Sequence, residues 1–239
     1  MATAPLERRR VGRPESVWFT VVRDRIWFPG NPWPGGHRIT EFLWTGRLDR
    51  SGWLWFDLTL KTAGYDEEFD APDNKDEGIS DWAAPIVWNN YHACTLSSTW
   101  EEATGLLAAT PERPFRLADP LPQWLTADPL PIEDLDAPPA FHVYLLGHDT
   151  VADHRVTFTG DGSARHRIDW TGRIALSYSG DEEFRYEFRA EIHDAGLAHI
   201  ALPDGMSGKE GRRHLTHLLD VPGRLMESAV DGKPVLRQA

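Results

Sequence analysis

The middle of this 239-residue chain is dense in proline. Eight prolines fall between residues 111 and 139. Proline has no backbone N–H for a sheet ladder, and its ring blocks the interior of a helix. Residues 111–139 therefore form neither a long helix nor a central strand, and they divide the chain into two halves.

The proline-rich segment also carries large apolar side chains, which a fully solvated spacer does not need. They are Leu121, Trp124, Leu125, Leu130, Ile132 and Leu135. We interpret residues 111–139 as an extended strap whose apolar side chains pack onto the rest of the protein. A solvated spacer is the alternative interpretation.

Both halves contain sequences typical of β-strands. Residues 53–61 place Leu54, Phe56, Leu58 and Leu60 on one face, and residues 184–192 alternate apolar and charged side chains. This period of two is typical of antiparallel strands with a buried face. Further strands are predicted over residues 17–22, 39–48, 141–146 and 168–178.

Short sequence matches relate the two halves. Trp44-Thr-Gly-Arg47 recurs as Trp170-Thr-Gly-Arg173, and each copy follows a His-Arg-Ile sequence. Asp-Glu-Glu-Phe occurs at 66–69 and again at 181–184. These matches predict an internal duplication with loops of unequal length. Coincidence is the alternative, because the matches are short.

A helix is predicted at the end of each half. In the first, Thr99 begins a capping box and Pro111 ends the helix; in the second, Ser207 caps a helix that ends near Asp220. The buried positions are expected to be Ala103, Leu106 and Leu107 in the first helix and Leu215, Leu218 and Leu219 in the second.

The predicted fold class is therefore α+β, mainly antiparallel β, with two similar strand-rich units that are each closed by a helix and joined by the strap. We place a flexible tail at 1–16, the first unit at 17–110, the strap at 111–139 and the second unit at 140–239. Residues 17–239 packing as one domain stays an open alternative.

Charge and composition exclude several classes of partner. Lys and Arg number 25 against 37 Asp and Glu, which gives a net charge of −12. This charge argues against nucleic acid and favours a basic protein partner. No run of about 20 apolar residues is present for a membrane span. The single cysteine and the lack of an apolar signal core after the N-terminal arginines predict a cytoplasmic protein.

Familiar catalytic motifs are missing from the sequence. It has no phosphate-binding G-x-x-x-x-G-K-[ST], no dinucleotide-binding G-x-G-x-x-G after a strand and no nucleophilic G-x-S-x-G. Cys94 and His92 would stand side by side on a strand, too far apart for a thiolate–base pair, so Cys94 is interpreted as a small buried residue. We predict no cofactor.

One group of histidines and acids resembles a metal site in composition but not in spacing. His142, His148, Asp149, Asp153 and His154 fit no zinc motif. The favoured interpretation is a polar hairpin between strands 141–146 and 155–159. A metal-dependent hydrolase that uses His148, Asp149 and His154 is the alternative.

Two surfaces are predicted to bind a partner or ligand. Residues 66–81 hold eight carboxylates and one lysine, and Asp73, Asp76 and Glu77 within them would attract a basic protein; a solvated loop is the alternative. Trp53 and Trp55 lie beside Asp57, opposite the apolar face of their strand. They form either core packing or an aromatic platform.

These observations favour a non-enzymatic cytosolic protein-binding module, in its most specific form a bacterial toxin-neutralising (immunity-type) protein. A carbohydrate-binding β-module that uses Trp53 and Trp55 is the second hypothesis. The metal-dependent hydrolase is the third.

Overall fold

The structure is a computed structural model that describes residues 24–67, 80–100, 102–134, 137–160, 162–220 and 225–238. The predicted tail at 1–16 and strand at 17–22 lie outside these ranges. So do Asp73, Asp76 and Glu77 of the acidic stretch.

The described residues contain twelve strands and two α-helices. The strands are β1 (Arg25–Trp27), β2 (His37–Leu48), β3 (Leu54–Thr62), β4 (Thr95–Ser97), β5 (Leu106–Ala109), β6 (Gln123–Ala127), β7 (His142–Tyr144), β8 (Thr150–Gly160), β9 (Arg165–Ala175), β10 (Tyr186–Ala201), β11 (Leu225–Val230) and β12 (Lys233–Gln238). The helices are α1 (Pro85–Asn89) and α2 (Gly208–Leu218), and short 3₁₀ turns cover Tyr65–Glu67, Asp81–Ala83 and Ser177–Ser179.

The strands form one curled, mostly antiparallel sheet, which confirms the predicted strand class. Neighbouring strands follow the order β6-β8-β9-β10-β1-β2-β3-β4-β7, with β5 beside β3, β12 beside β10 and β11 beside β12. Among these pairings only β10–β2 is parallel. Neither helix is long and apolar enough to cross a membrane.

Strand β10 connects the two halves of the chain. It pairs with β1 over residues 189–191 and with β9 up to Gly196, with a register shift between Ile192 and Ala195, and residues 197–201 then pair with β2 and β12. A register irregularity of this kind bends a strand and increases its twist. The buried apolar residues on both sides of the bend belong to one cluster, which includes Trp44, Phe56 and Trp170.

The alternation in residues 53–61 is confirmed. Leu54, Phe56, Leu58 and Leu60 of β3 are fully buried in the core. The helix predicted from Thr99 is wrong, because residues 106–109 form β5 and pair with β3. Just before β5 the backbone N–H groups of residues 104 and 105 donate to the carbonyls of residues 139 and 140. Gly105 then has a φ of +70°, which ends any helical path.

The second predicted helix is confirmed as α2. The side chain of Ser207 accepts a hydrogen bond from the N–H of Glu210, as a capping residue does, and Leu215 and Leu218 are buried. A helix therefore forms at the predicted position in the second half only, and there β11 and β12 follow it, so the expectation that a helix closes each unit is not confirmed.

The hairpin predicted between 141–146 and 155–159 is also wrong. β7 pairs with β4, whereas β8 pairs with β6 and β9. The reason is the proline-rich segment: its residues 123–127 form β6 and occupy the edge of β8 where the hairpin partner would lie.

The strap packs as predicted only in part, with Phe115 and Leu117 near its start buried in the core. Of its named apolar residues Leu125 is buried, whereas Leu121 is 68% exposed, Trp124 58% and Leu130 36%. An edge strand buries alternate side chains only, so β6 points Trp124 outward while it buries Leu125. Much of the strap's apolar surface therefore lies on the outside of the protein.

The two Trp-Thr-Gly-Arg sequences have similar local settings. Trp44 and Trp170 are both buried, and the glycines two residues later, Gly46 and Gly172, lie opposite a phenylalanine of the next strand. The Asp-Glu-Glu-Phe sequences differ, since the first begins in the 3₁₀ turn after β3 and the second precedes β10. The duplication stays a prediction.

These glycines provide a test of the packing. A Cβ atom on Gly172 would lie 2.6 Å from a ring carbon of Phe188 and 3.0 Å from a nitrogen of His154, whereas the nearest atom to a Cβ on Gly46 would be 3.2 Å away. We expect Gly172→Ala to lower the free energy of unfolding by roughly 1–3 kcal/mol, as overpacking does. Gly46→Ala is the matched control and should cost less. Urea unfolding measures both, and equal losses would contradict this account.

Candidate functional site

The predicted tryptophan platform is largely covered. The indole N–H of Trp55 donates to Asp49 at 2.9 Å, and the Arg47 guanidinium lies 5.2 Å from the centre of the Trp55 ring. Trp53 is 40% exposed. Only Trp53 therefore presents an open aromatic surface, because Arg47 occupies a face of its neighbour.

Asp57, the third residue of that surface, is buried in an internal ion pair. Its carboxylate lies 3.0 Å from Nε of Arg47 and accepts a hydrogen bond from the Ser98 hydroxyl at 3.3 Å. Burial raises the pKa of Asp57, and the Arg47 charge opposes that rise. Asp57 contributes to packing of the strand and does not face an open surface.

The histidine and acid group does not converge on a metal site. Asp149 accepts hydrogen bonds from the backbone N–H groups of Leu146 and Tyr178, and the His148 ring packs on Tyr144. His154 is buried. No group of three or more potential metal ligands occurs among the residues the structure describes. His148, Asp149 and His154 therefore serve separate local contacts.

Cys94 is buried, as predicted. Burial raises the pKa of its thiol, so the thiolate form that nucleophilic chemistry requires is disfavoured.

A cleft of about 690 Å³ lies between the strap and the main sheet. Strap residues 128–134 and 137–139 line it, together with side chains from β8, from the end of β9 and from the segment before β10. Its charged lining residues are all acidic: Asp128, Glu133, Asp134 and Glu182. The rest of the lining is mainly apolar and includes four prolines, Leu130, Ile132 and Phe184.

Backbone contacts hold the strap wall of the cleft in place. The carbonyl of Asp128 accepts a hydrogen bond from the N–H of Asp153 at 2.6 Å, and its carboxylate accepts one from the N–H of Ala140 at 2.9 Å. Asp128 has a φ of +50°, a conformation that a non-glycine residue keeps only when its surroundings impose it. The cleft is therefore largely formed before any ligand arrives.

A buried histidine lies behind Asp128. The Trp170 indole N–H donates to Nδ1 of His154 at 3.3 Å, so the proton of the neutral ring is on Nε2. That Nε2 lies 3.9 Å from Oδ2 of Asp128, beyond hydrogen-bond distance, and has no partner. Burial lowers the pKa of His154 to about 3. His154 is thus neutral near pH 7 and does not balance the charge of Asp128.

Three tyrosines pack against one another; we call Tyr91, Tyr144 and Tyr178 the tyrosine cluster. The ring centre of Tyr91 lies 6.3 Å from the ring centre of Tyr144 and 6.2 Å from that of Tyr178. Tyr178 is 62% exposed and directly follows Ser177, which lines the cleft. Exposed tyrosine is typical of the residues that dominate protein interfaces.

Neither the cleft nor the tyrosine cluster follows from a local sequence pattern. The prolines of the strap indicate only that this segment leaves the sheet, because proline cannot donate to a strand ladder. The three tyrosines come from distant parts of the chain, and no sequence pattern links them.

Comparison with known protein families, with characterised proteins and with solved structures gives no match for this chain. The functional argument therefore depends on the geometry of the cleft.

A second buried histidine has the same electrostatic character as His154. His37 is fully buried and its Nε2 lies 2.8 Å from the side-chain nitrogen of Asn31. Burial, followed by the nearby charge of Arg25, lowers the pKa of His37 to about 4.

These two histidines predict a loss of stability in mild acid. Below about pH 6.5 the unfolded chain binds protons at both sites, whereas the folded protein does not until near pH 4 and pH 3. Stability is therefore greatest above pH 6.5. Between pH 7.5 and pH 5, each histidine should lower the free energy of unfolding by about 2 kcal/mol.

Urea unfolding at both pH values measures this loss. In His154→Gln we expect the acid-induced loss to shrink by about 2 kcal/mol, because glutamine binds no proton. The control is His217→Gln on the exposed side of α2, which should keep the wild-type dependence. An unchanged pH dependence in His154→Gln would contradict the assignment.

Proposed function

We propose that this chain is a non-enzymatic cytoplasmic protein-binding module, and that the cleft and the tyrosine cluster form its docking surface for a basic partner. The observation that carries the proposal is the lining of the cleft, in which apolar walls surround charged residues of one sign only. Complementary charge across an interface favours a basic partner and speeds its approach.

The size of the cleft favours a segment of the partner over a whole domain. A volume of about 690 Å³ accommodates a few side chains. The occupant is therefore an extended partner segment in which lysine or arginine alternates with apolar residues. Tyr178 and its neighbours would pack against the residues that flank this segment.

In its most specific form, the proposal is a bacterial toxin-neutralising protein. A net charge of −12 suits the capture of a basic toxin, and steering by opposite charge raises association rates by orders of magnitude. The acidic stretch with Asp73, Asp76 and Glu77 would add to the attraction during approach.

Protein binding is favoured over the two other hypotheses by the site geometry. A sugar-binding platform needs two open rings at 53 and 55, but Arg47 lies over Trp55. The hydrolase would need His148, Asp149 and His154 as a converging ligand set, and each of these makes other contacts.

A phage-displayed peptide library tests the cleft directly. We expect the wild-type protein to select peptides that combine lysine or arginine with apolar residues. The double variant Glu133→Lys/Glu182→Lys reverses two exposed charges of the lining and should retain these peptides at least tenfold less. Glu112→Lys, an exposed acid outside the cleft, is the control. Equal retention by the wild type and the double variant would overturn the proposal.

The acidic stretch has its own test once a partner peptide or protein is in hand. Reversing Asp73, Asp76 and Glu77 to lysine should slow association at low salt without lowering the melting temperature, because steering acts before contact. Stopped-flow association rates measure the effect. Unchanged rates would show that this stretch plays no part in attraction.

A further inference from the structure

We infer that Asp128 is the anchor of the cleft and binds one cationic side chain of the partner segment, a guanidinium or an ammonium group. This inference rests on the proposed function and specifies which residue binds a positive charge of the partner.

The hydrogen bonding of Asp128 leaves room for such a ligand. Its Oδ2 accepts the N–H of Ala140, and an ionised carboxylate has about four acceptor sites. The side chain is 22% exposed, and the residue lines the cleft. The carboxylate of this cleft-lining residue therefore keeps acceptor sites that a ligand can use.

The protein itself supplies no cation to this carboxylate. Within the described part of the chain no lysine or arginine forms an ion pair with Asp128, the His154 ring behind it is neutral, and the other titratable residues that line the cleft, Glu133, Asp134 and Glu182, are acids. A partly buried carboxylate without a positive partner is costly, and a ligand cation would offset that cost.

His154 supports this assignment independently. Its Nε2–H is fully buried, unpartnered and 3.9 Å from the carboxylate that lines the cleft. Nδ1 of His154 accepts the Trp170 N–H and carries no proton. Protonating it to form a cation would break this buried hydrogen bond. His154 therefore leaves the Asp128 carboxylate without a positive charge beside it, and a cation from a partner could supply one.

The walls of the cleft suit the alkyl part of lysine or arginine. Pro131, Ile132 and Phe184 line the cleft with apolar groups. Long basic side chains bury their methylene groups along surfaces of this kind while the charged end reaches a carboxylate.

A purely structural role for Asp128 is the competing explanation, since the residue also holds Ala140. Asp128→Asn separates the two roles. The amide oxygen of asparagine can still accept the Ala140 N–H, but the negative charge is lost.

The probes are n-butylguanidinium and n-butylammonium, with n-butylurea as an uncharged analogue, titrated against the full chain and followed by amide NMR shifts. We expect both cations to bind saturably, with a dissociation constant on the order of 1 mM, and to shift the amides of Ala140 and Val151. Asp128→Asn should weaken binding at least tenfold. Glu112→Gln, outside the cleft, should leave it unchanged.

Three results would overturn the inference: no saturable shift, equal binding by Asp128→Asn, or equal binding of n-butylurea. Binding should also be constant from pH 8 to pH 6, where His154 stays neutral. A fall over this range would assign the effect to another group.

The peptide selection separates this inference from the proposed function. If Asp128→Asn retains the peptides selected by the wild type equally well, Asp128 is not the anchor, but the proposal of a docking surface stands. Binding of the cations without any selected peptide would instead make the cleft a site for a small organic cation.

Discussion

The bend in β10 is the constraint on which the rest of the structure depends. One 16-residue strand pairs with β9 and β1 up to Gly196, past its register shift, and with β2 and β12 over its last residues, 197–201. Strands from both halves of the chain hydrogen-bond to β10, so no unpaired strand edge separates the two halves. The sheet can then curl around a single core, and the aromatic residues of both halves pack together inside it.

The curled sheet leaves the strap on its outside. Strand β6 covers the edge of β8, and the prolines that follow cannot continue the ladder. The strap therefore leaves the sheet after Ala127 and returns to it near Ala140. The cleft lies under this detour, and its prolines and three of its four acids come from the same segment that forms its wall.

Much of the strand content was predictable, because alternation in residues such as Leu54, Phe56, Leu58 and Leu60 directly reflects a buried face. The helix at Ser207 was predictable for a similar reason, since its cap and its leucine spacing agree. The wrong prediction of a helix from Thr99 could not be corrected from the sequence alone. Its capping signal is genuine, but hydrogen bonds from residues 104 and 105 to the carbonyls of residues 139 and 140 override it.

The candidate site was harder to predict than the fold. Trp55 and Asp57 have the composition of a binding surface, yet Arg47 from the neighbouring strand covers one and pairs with the other. Asp128 and His154 are separated by 26 positions and meet because Asp153 donates its N–H to the carbonyl of Asp128. Such contacts depend on pairing between distant segments, which local patterns do not specify.

The acids of the cleft differ in their structural contacts, and this difference determines which of them could be replaced to change the binding specificity of the surface. Asp128 joins the strap to the sheet through its backbone and its carboxylate, so a replacement that cannot accept the Ala140 N–H disturbs the wall as well as the charge. Glu133 and Glu182 are exposed side chains at the rim. A designer who wished to redirect the protein to a different target could vary these two positions freely while the scaffold beneath them stayed intact.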